Sequence, residues 1–102
     1  MSRVTRPHLS DDHATALADL FRLLGDPSRL RIVVSCLRKP LAVSDIAARL
    51  GLSVSLVSHH LRLLKGARLV RAERQGKQVF YGADDRHVQR MIENMVTHIG
   101  EH

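Results

Sequence analysis

Residues 43–64, VSDIAARLGLSVSLVSHHLRLL, leave this chain few folds to choose from. Ile46, Ala47 and Leu50 share one helical stripe at i, i+1 and i+4, and Val57, Leu61 and Leu64 share another at i, i+4 and i+7. A Leu50-Gly51-Leu52 corner separates them. Gly51 can take the positive φ that closes a helix. Ser53 can accept a hydrogen bond from the free N–H groups of the next helix, which makes it the expected N-cap. Two short helices joined by a three- or four-residue turn containing glycine form a helix-turn-helix. The second helix turns Val54, Ser55, Ser58, His59 and Arg62 away from its apolar stripe. Small polar side chains with one cation suit the DNA major groove, where close approach and hydrogen bonds to base edges decide recognition. The pattern also fits an ordinary helical hairpin with a solvated outer face, because the motif is degenerate.

Upstream, a helix is predicted from Asp11 or Asp12 through Leu24, with Ala14, Leu17, Leu20, Phe21 and Leu24 as its apolar stripe. Gly25 stops it. Asp26-Pro27 opens the next helix, an N-cap carboxylate followed by proline at the first helical position. Leu30, Ile32, Val33, Val34 and Leu37 make that helix apolar over most of its surface, so it belongs at the centre, and Lys39-Pro40 ends it. Cys36 reads as a small buried side chain near its end. After Lys65-Gly66 the period changes. Residues 69–74 and 78–81 have strand character, and Gln75-Gly76-Lys77 supplies the turn. The hairpin would carry Arg71, Arg74 and Lys77 near its tip. A basic hairpin directly after a reading helix is a wing that reaches phosphates or the minor groove; the alternative is a solvated tip. Asp84 and Asp85 then start a last helix, through about Gly100, striped with Val88, Met91, Ile92, Met95, Val96 and Ile99. A core already furnished leaves this stripe two uses: packing on one side, or burial against the same helix of a second subunit.

The predicted fold class is therefore mainly α with a small β-hairpin: a winged helix-turn-helix of five helices and a two-stranded wing. Residues 1–10 are expected to be a mobile N-terminal arm, and residues 11–102 one DNA-binding and dimerisation domain. At 102 residues the domain is small enough to gain from oligomerising. Sixteen Lys+Arg against ten Asp+Glu, net +6, favour a polyanionic partner, though a basic solvated surface has the same balance. Aromatic residues at 3% are too few for a platform that stacks single-stranded bases. The single cysteine excludes an internal disulfide and fits a reducing cytosol. No apolar run approaches the ~20 residues of a membrane span, and the start MSRVTRPHLSDD lacks the apolar core of a signal. A cytoplasmic protein with no membrane partner is expected. A metalloenzyme would need an open coordination position and a substrate cleft, for which so short a chain has little room.

Several segments together resemble the ArsR/SmtB family of winged-helix repressors. They are LGDPSRLRIV, LSVSLVSHHLRLLKGARLV, RQGKQVFY, DDRHV and VTHIGE, and the likeness covers nearly everything after residue 14. The resemblance implies a homodimer that binds palindromic double-stranded operator DNA and is released by an inducer, often a metal ion. By charge and helix position, Ser55, Ser58, His59 and Arg62 would form the base-reading face, backed by phosphate contacts from Arg74 and Lys77. Val54 and Leu56 stand where many relatives are polar, which removes direct hydrogen bonding at those two places.

Arsenic-type members carry a cysteine pair where this chain has Ala42 and Ser44, so a soft ion finds no thiolates there. The N-terminal cysteines of cadmium- and lead-type members are absent too, and a lone Cys36 cannot form the cysteine pair of the redox and sulfide sensors. The zinc-type pattern of the last helix is present: Asp85-x-His87, ten residues, then His98-x-x-Glu101. Two imidazoles and two carboxylates suit tetrahedral zinc. Nickel or cobalt, the alternatives, take more ligands, which His8, His13 or His102 would supply. His87 and His98 lie close to three turns apart, on one face but about 16 Å apart along the axis at ~1.5 Å per residue. One helix cannot bring both to one ion, whereas an antiparallel partner helix can. The resemblance further implies that His98 hydrogen-bonds toward the backbone near Arg68. Without a metal input these histidines would be surface residues of a simple DNA binder.

Overall fold

Side-chain caps cut the chain into its helices. Ser10, Asp26, Ser53 and Asp85 each accept a hydrogen bond from the backbone N–H three residues on, at 2.9 to 3.1 Å. Each satisfies one of the donors that a first turn leaves open. They start α1 (Asp11–Leu24), α2 (Pro27–Ser35), α4 (Val54–Gly66) and α5 (Arg86–Gly100). The fifth helix, α3 (Val43–Leu50), has no side-chain cap, because it continues directly from the short strand β1 (Leu41–Ala42). The hairpin strands are β2 (Val70–Gln75) and β3 (Gln78–Ala83). The computed structural model describes residues 8–101. The arm expected over residues 1–10 falls mostly outside that range; within it, Ser10 caps α1.

The helix-turn-helix forms as the sequence predicts: α3 ends on Gly51 at φ 68°, and three residues connect it to α4. The end of α4 differs. Gly66 is its last helical residue, and the left-handed position falls on Arg68 at φ 61°. The N–H of Leu69 donates to the carbonyl of Leu64 at 2.9 Å, and that of Arg68 to Lys65 at 3.0 Å. This is a Schellman closure, with buried Leu64 and Leu69 making its apolar contact. Helix α2 also ends earlier than Pro40 requires. The Ser35 hydroxyl donates to the Ile32 carbonyl at 2.6 Å, and Cys36 closes the last turn with an N–H bond to Val33.

The sheet has one strand more than the two expected. Its order is β1-β3-β2, all antiparallel, with Leu41 opposite Tyr81 and Ala42 opposite Phe80. Two residues are too short a run for sequence periodicity to register. Their partner comes close because Gly82 has no side chain; a Cβ there would sit 3.3 Å from Cγ of Pro40. Gln75 pairs with Gln78 around Gly76 at φ 64°, the two-residue turn of a type II′ hairpin. Arg71 is therefore not near the tip. It lies opposite Gly82 at the hairpin base, with its guanidinium 3.3 Å from Glu73.

The core gathers Ile32 and Val33 of α2, Ile46 and Ala47 of α3, Val57, Leu61 and Leu64 of α4, Leu69, Val70 and Ile92. Helix α2 is central, as its composition predicts, yet its outer side is open at Leu30 and Val34. Among the described residues no helix is long and apolar enough to cross a membrane.

Candidate nucleic-acid interface and metal ligands

The buried side of α4 is Val57, His60, Leu61 and Leu64, an i, i+3, i+4, i+7 stripe. Its opposite side leaves Ser55, His59 and Arg62 exposed and Ser58 half-buried. The four polar residues predicted to read bases thus lie on the solvent side of one helix, braced from behind by α2 and α3. Arg74 and Lys77 are also exposed, Arg74 two residues before the hairpin turn and Lys77 within it. Neither enters an ion pair among the described residues, so both charges are available to phosphate.

The apolar pattern of the sequence assigns no role to His60, although its spacing from Val57 completes the stripe. It is 9% exposed, and its Nδ1 is buried without a hydrogen-bond partner among the described residues. Asp26, at the start of α2, lies near enough to feel its charge. The Asp26 carboxyl is held below its ordinary value chiefly by the backbone N–H of Arg29, with the Arg29 and His60 charges adding.

A second surface is apolar. Phe21 of α1, Leu30 of α2, and Met91, Met95, Val96 and Ile99 of α5 line a groove of about 270 Å³. Phe21 and Met95 are each 54% exposed and Ile99 is 72%. Large side chains exposed in so contiguous a patch mark an association surface.

The predicted metal ligands sit at the two ends of α5. Asp85 is its N-cap, with one carboxylate oxygen accepting from the N–H of Val88 at 2.9 Å. It borders a polar cavity of about 380 Å³ beside Arg71, Glu73 and Arg86. His87 borders a different groove, against Leu17, Leu20 and Phe21 of α1. His98 is exposed in the last turn, and Glu101 is the C-cap residue. Within the single chain, no three His, Cys, Asp or Glu among the described residues gather tightly enough to hold a metal ion. His8 and His13 lie at the far end of the chain, on and just before α1, and His102 lies outside the described residues. Cys36 is fully buried, and desolvation pushes its thiol up to about 11.

Residues 26–72 match the family model described as bacterial regulatory protein, arsR family. The chain is 41% identical over 93 residues to a transcriptional repressor SmtB homolog of Synechocystis sp., covering 91% of this chain and 70% of that one. The solution structure of the cadmium metal-sensor CMTR of Mycobacterium tuberculosis superposes with a TM-score of 0.68 at 43% identity, over 78% of this chain and 82% of that chain. A homodimeric winged helix-turn-helix DNA-binding domain of Mycobacterium bovis, described as a possible ArsR-family transcriptional regulator, superposes at 0.82 with 28% identity, over 92% and 90% of the two chains.

Proposed function

The chain belongs to the ArsR family of bacterial regulatory proteins, transcriptional regulators rather than enzymes, and from that premise we propose that it is a metal-responsive repressor. It binds operator DNA in the cytoplasm as a homodimer through Ser55, Ser58, His59, Arg62, Arg74 and Lys77, and zinc bound between the last helices releases it. The observation that carries this reading is the layout of α5. His87 and His98 stand eleven residues apart, three turns plus about 20° at 3.6 residues per turn. They border the same apolar stripe, which runs through half-buried Met91 and exposed Met95. Burying that stripe against the antiparallel α5 of a second subunit brings Asp85 and His87 of one chain toward His98 and Glu101 of the other.

The donor chemistry favours zinc. All four side chains are exposed, and they offer two nitrogens and two oxygens. Cadmium and antimony are named for similar proteins, but soft ions take thiolates, and Cys36 is buried and protonated here. When bound, zinc would supply a tetrahedral centre joining two subunits. The dimer arrangement it favours must bind DNA more weakly, and DNA must weaken the metal by the same factor.

A regulator with no metal input is the second reading. One observation favours it: Asp85 is engaged as a cap and borders a different groove from His87. Operator binding by fluorescence anisotropy with buffered zinc, nickel and cobalt separates the readings. Zinc should release the wild type and leave His87→Ala/His98→Ala bound. Release of that double variant would put the inducer elsewhere, release only by nickel or cobalt would replace zinc, and release by none would establish the second reading.

A further inference from the structure

The first turn of the reading helix carries two large apolar side chains that the polar recognition set does not use. Val54 is the first residue of α4 and is 52% exposed; Leu56, two residues on, is 39% exposed. Neither belongs to the buried stripe. At 100° per residue they lie on opposite sides of Ser55, one flanking each edge of the polar strip. The first turn of a recognition helix is the part that meets base edges. An exposed valine at that place has no hydrogen bond to offer. In the major groove the one apolar feature of a base edge is the C5 methyl of thymine.

We propose that Val54 and Leu56 read thymine methyl groups, so that the half-site carries a thymine on either side of the base pair met by Ser55. The inference rests on the DNA-binding reading above and deepens it by naming the base chemistry recognised. Ser55 between them can donate to or accept from a base edge, so it adds a hydrogen bond but little discrimination of its own. Shape complementarity at the two flanks then supplies the discrimination. Burying one methyl is worth about a four-fold change in affinity. In a two-fold dimer each contact occurs twice, so removing one kind of methyl from both half-sites weakens binding about sixteen-fold.

The test works without the operator sequence being known. Duplexes are selected from a random pool on the wild-type protein, and each thymine of the recovered half-site is replaced in turn by deoxyuridine. The replacement keeps every hydrogen-bonding group and deletes only the methyl. Anisotropy titrations should show two thymines per half-site at which deoxyuridine weakens binding about four-fold in one half-site and about sixteen-fold in both. Val54→Ala should abolish the difference at one of these positions and Leu56→Ala at the other. Both changes leave the fold intact, since each side chain is exposed and alanine is the stronger helix former. Circular dichroism and unfolding midpoints check that. If deoxyuridine changes affinity less than about two-fold everywhere, or if both alanine variants keep full discrimination, the methyl readout is overturned while DNA binding stands. If no duplex in the pool is bound, the regulator reading falls and the readout falls with it.

Discussion

Two glycines at the ends of neighbouring helices should respond to the same substitution with opposite signs. Gly51 closes α3 at φ 68°, and a Cβ added to it would meet nothing within 4 Å. Gly51→Ala therefore costs no steric clash, only the left-handed backbone, about 1–2 kcal/mol for a residue with a Cβ. The stiffer unfolded chain returns about 0.4–1 kcal/mol. The net loss is about 1 kcal/mol. Gly66 ends α4 in helical conformation, also with open space around its Cα. Gly66→Ala there gains helix propensity, about 0.5 kcal/mol in a last turn. For a domain near 100 residues the two variants should melt roughly 5 °C below and a few degrees above the wild type. Urea titrations at one fixed protomer concentration give the same comparison free of dimer mass action. Gly51→Asn should fall between, because asparagine tolerates the left-handed region best among residues with a Cβ. A neutral Gly51→Ala, or a Gly66→Ala that destabilises, would refute the assignment of the left-handed positions to Gly51 and Arg68.

Arg74→Ala and Lys77→Ala should weaken binding to every duplex, each lowering the salt slope by about one for a phosphate that is no longer neutralised, whereas Ser58→Ala and His59→Ala should change preference among sequences; unchanged curves for all four would place the interface elsewhere. Met95→Glu puts a charge into the exposed apolar face of α5 and should turn a dimer into monomers in sedimentation at micromolar concentration, an expectation that fails if the wild type is already monomeric there. Asp26 has a depressed carboxyl, so its contribution to stability is complete above its ordinary value of 3.8 and disappears as pH falls through the lower folded value. Asp26→Ala should accordingly lower the unfolding midpoint at neutral pH and leave a shallower loss in acid. Cys36, buried with a thiol near 11, should resist a thiol reagent under mildly alkaline conditions in the folded protein and react at once in denaturant.

Most of this fold can be read from caps and periodicity, because both are local. Ser53, Asp26 and Asp85 announce helix starts through their own side chains, and the stripes of α3 and α4 differ from the alternation of the hairpin within a few residues. What the sequence does not reveal depends on distant partners. Strand β1 exists because β3 lies beside it, and Leu41-Ala42 alone is indistinguishable from a loop. Arg68 takes the left-handed position two residues beyond the glycine that invites it, because the buried contact of Leu69 with Leu64 sets where the helix closes. His60 is visible as the missing member of the α4 stripe, but a polar residue is not counted in an apolar pattern. The proposed reading face is legible since its residues lie on one helix. The proposed ligand set is legible only as two separated pairs, since a single helix cannot bring its ends together.

Strand β1 has a consequence for how the half-site is measured. It hydrogen-bonds to the wing through β3 and runs without a break into α3, whose corner carries the reading helix. On the other side, the N–H of Asp84 bonds to the carbonyl of Leu69 at 3.2 Å, locking the hairpin base to the end of α4. Wing and reading helix are thus two prongs of one rigid caliper, and their separation is set by backbone hydrogen bonds rather than by an adjustable joint. A ligand bound at α5 as proposed above would act by swinging two such calipers relative to each other about the dimer axis, so control of DNA affinity would fall on the spacing between half-sites rather than on the reading within each one.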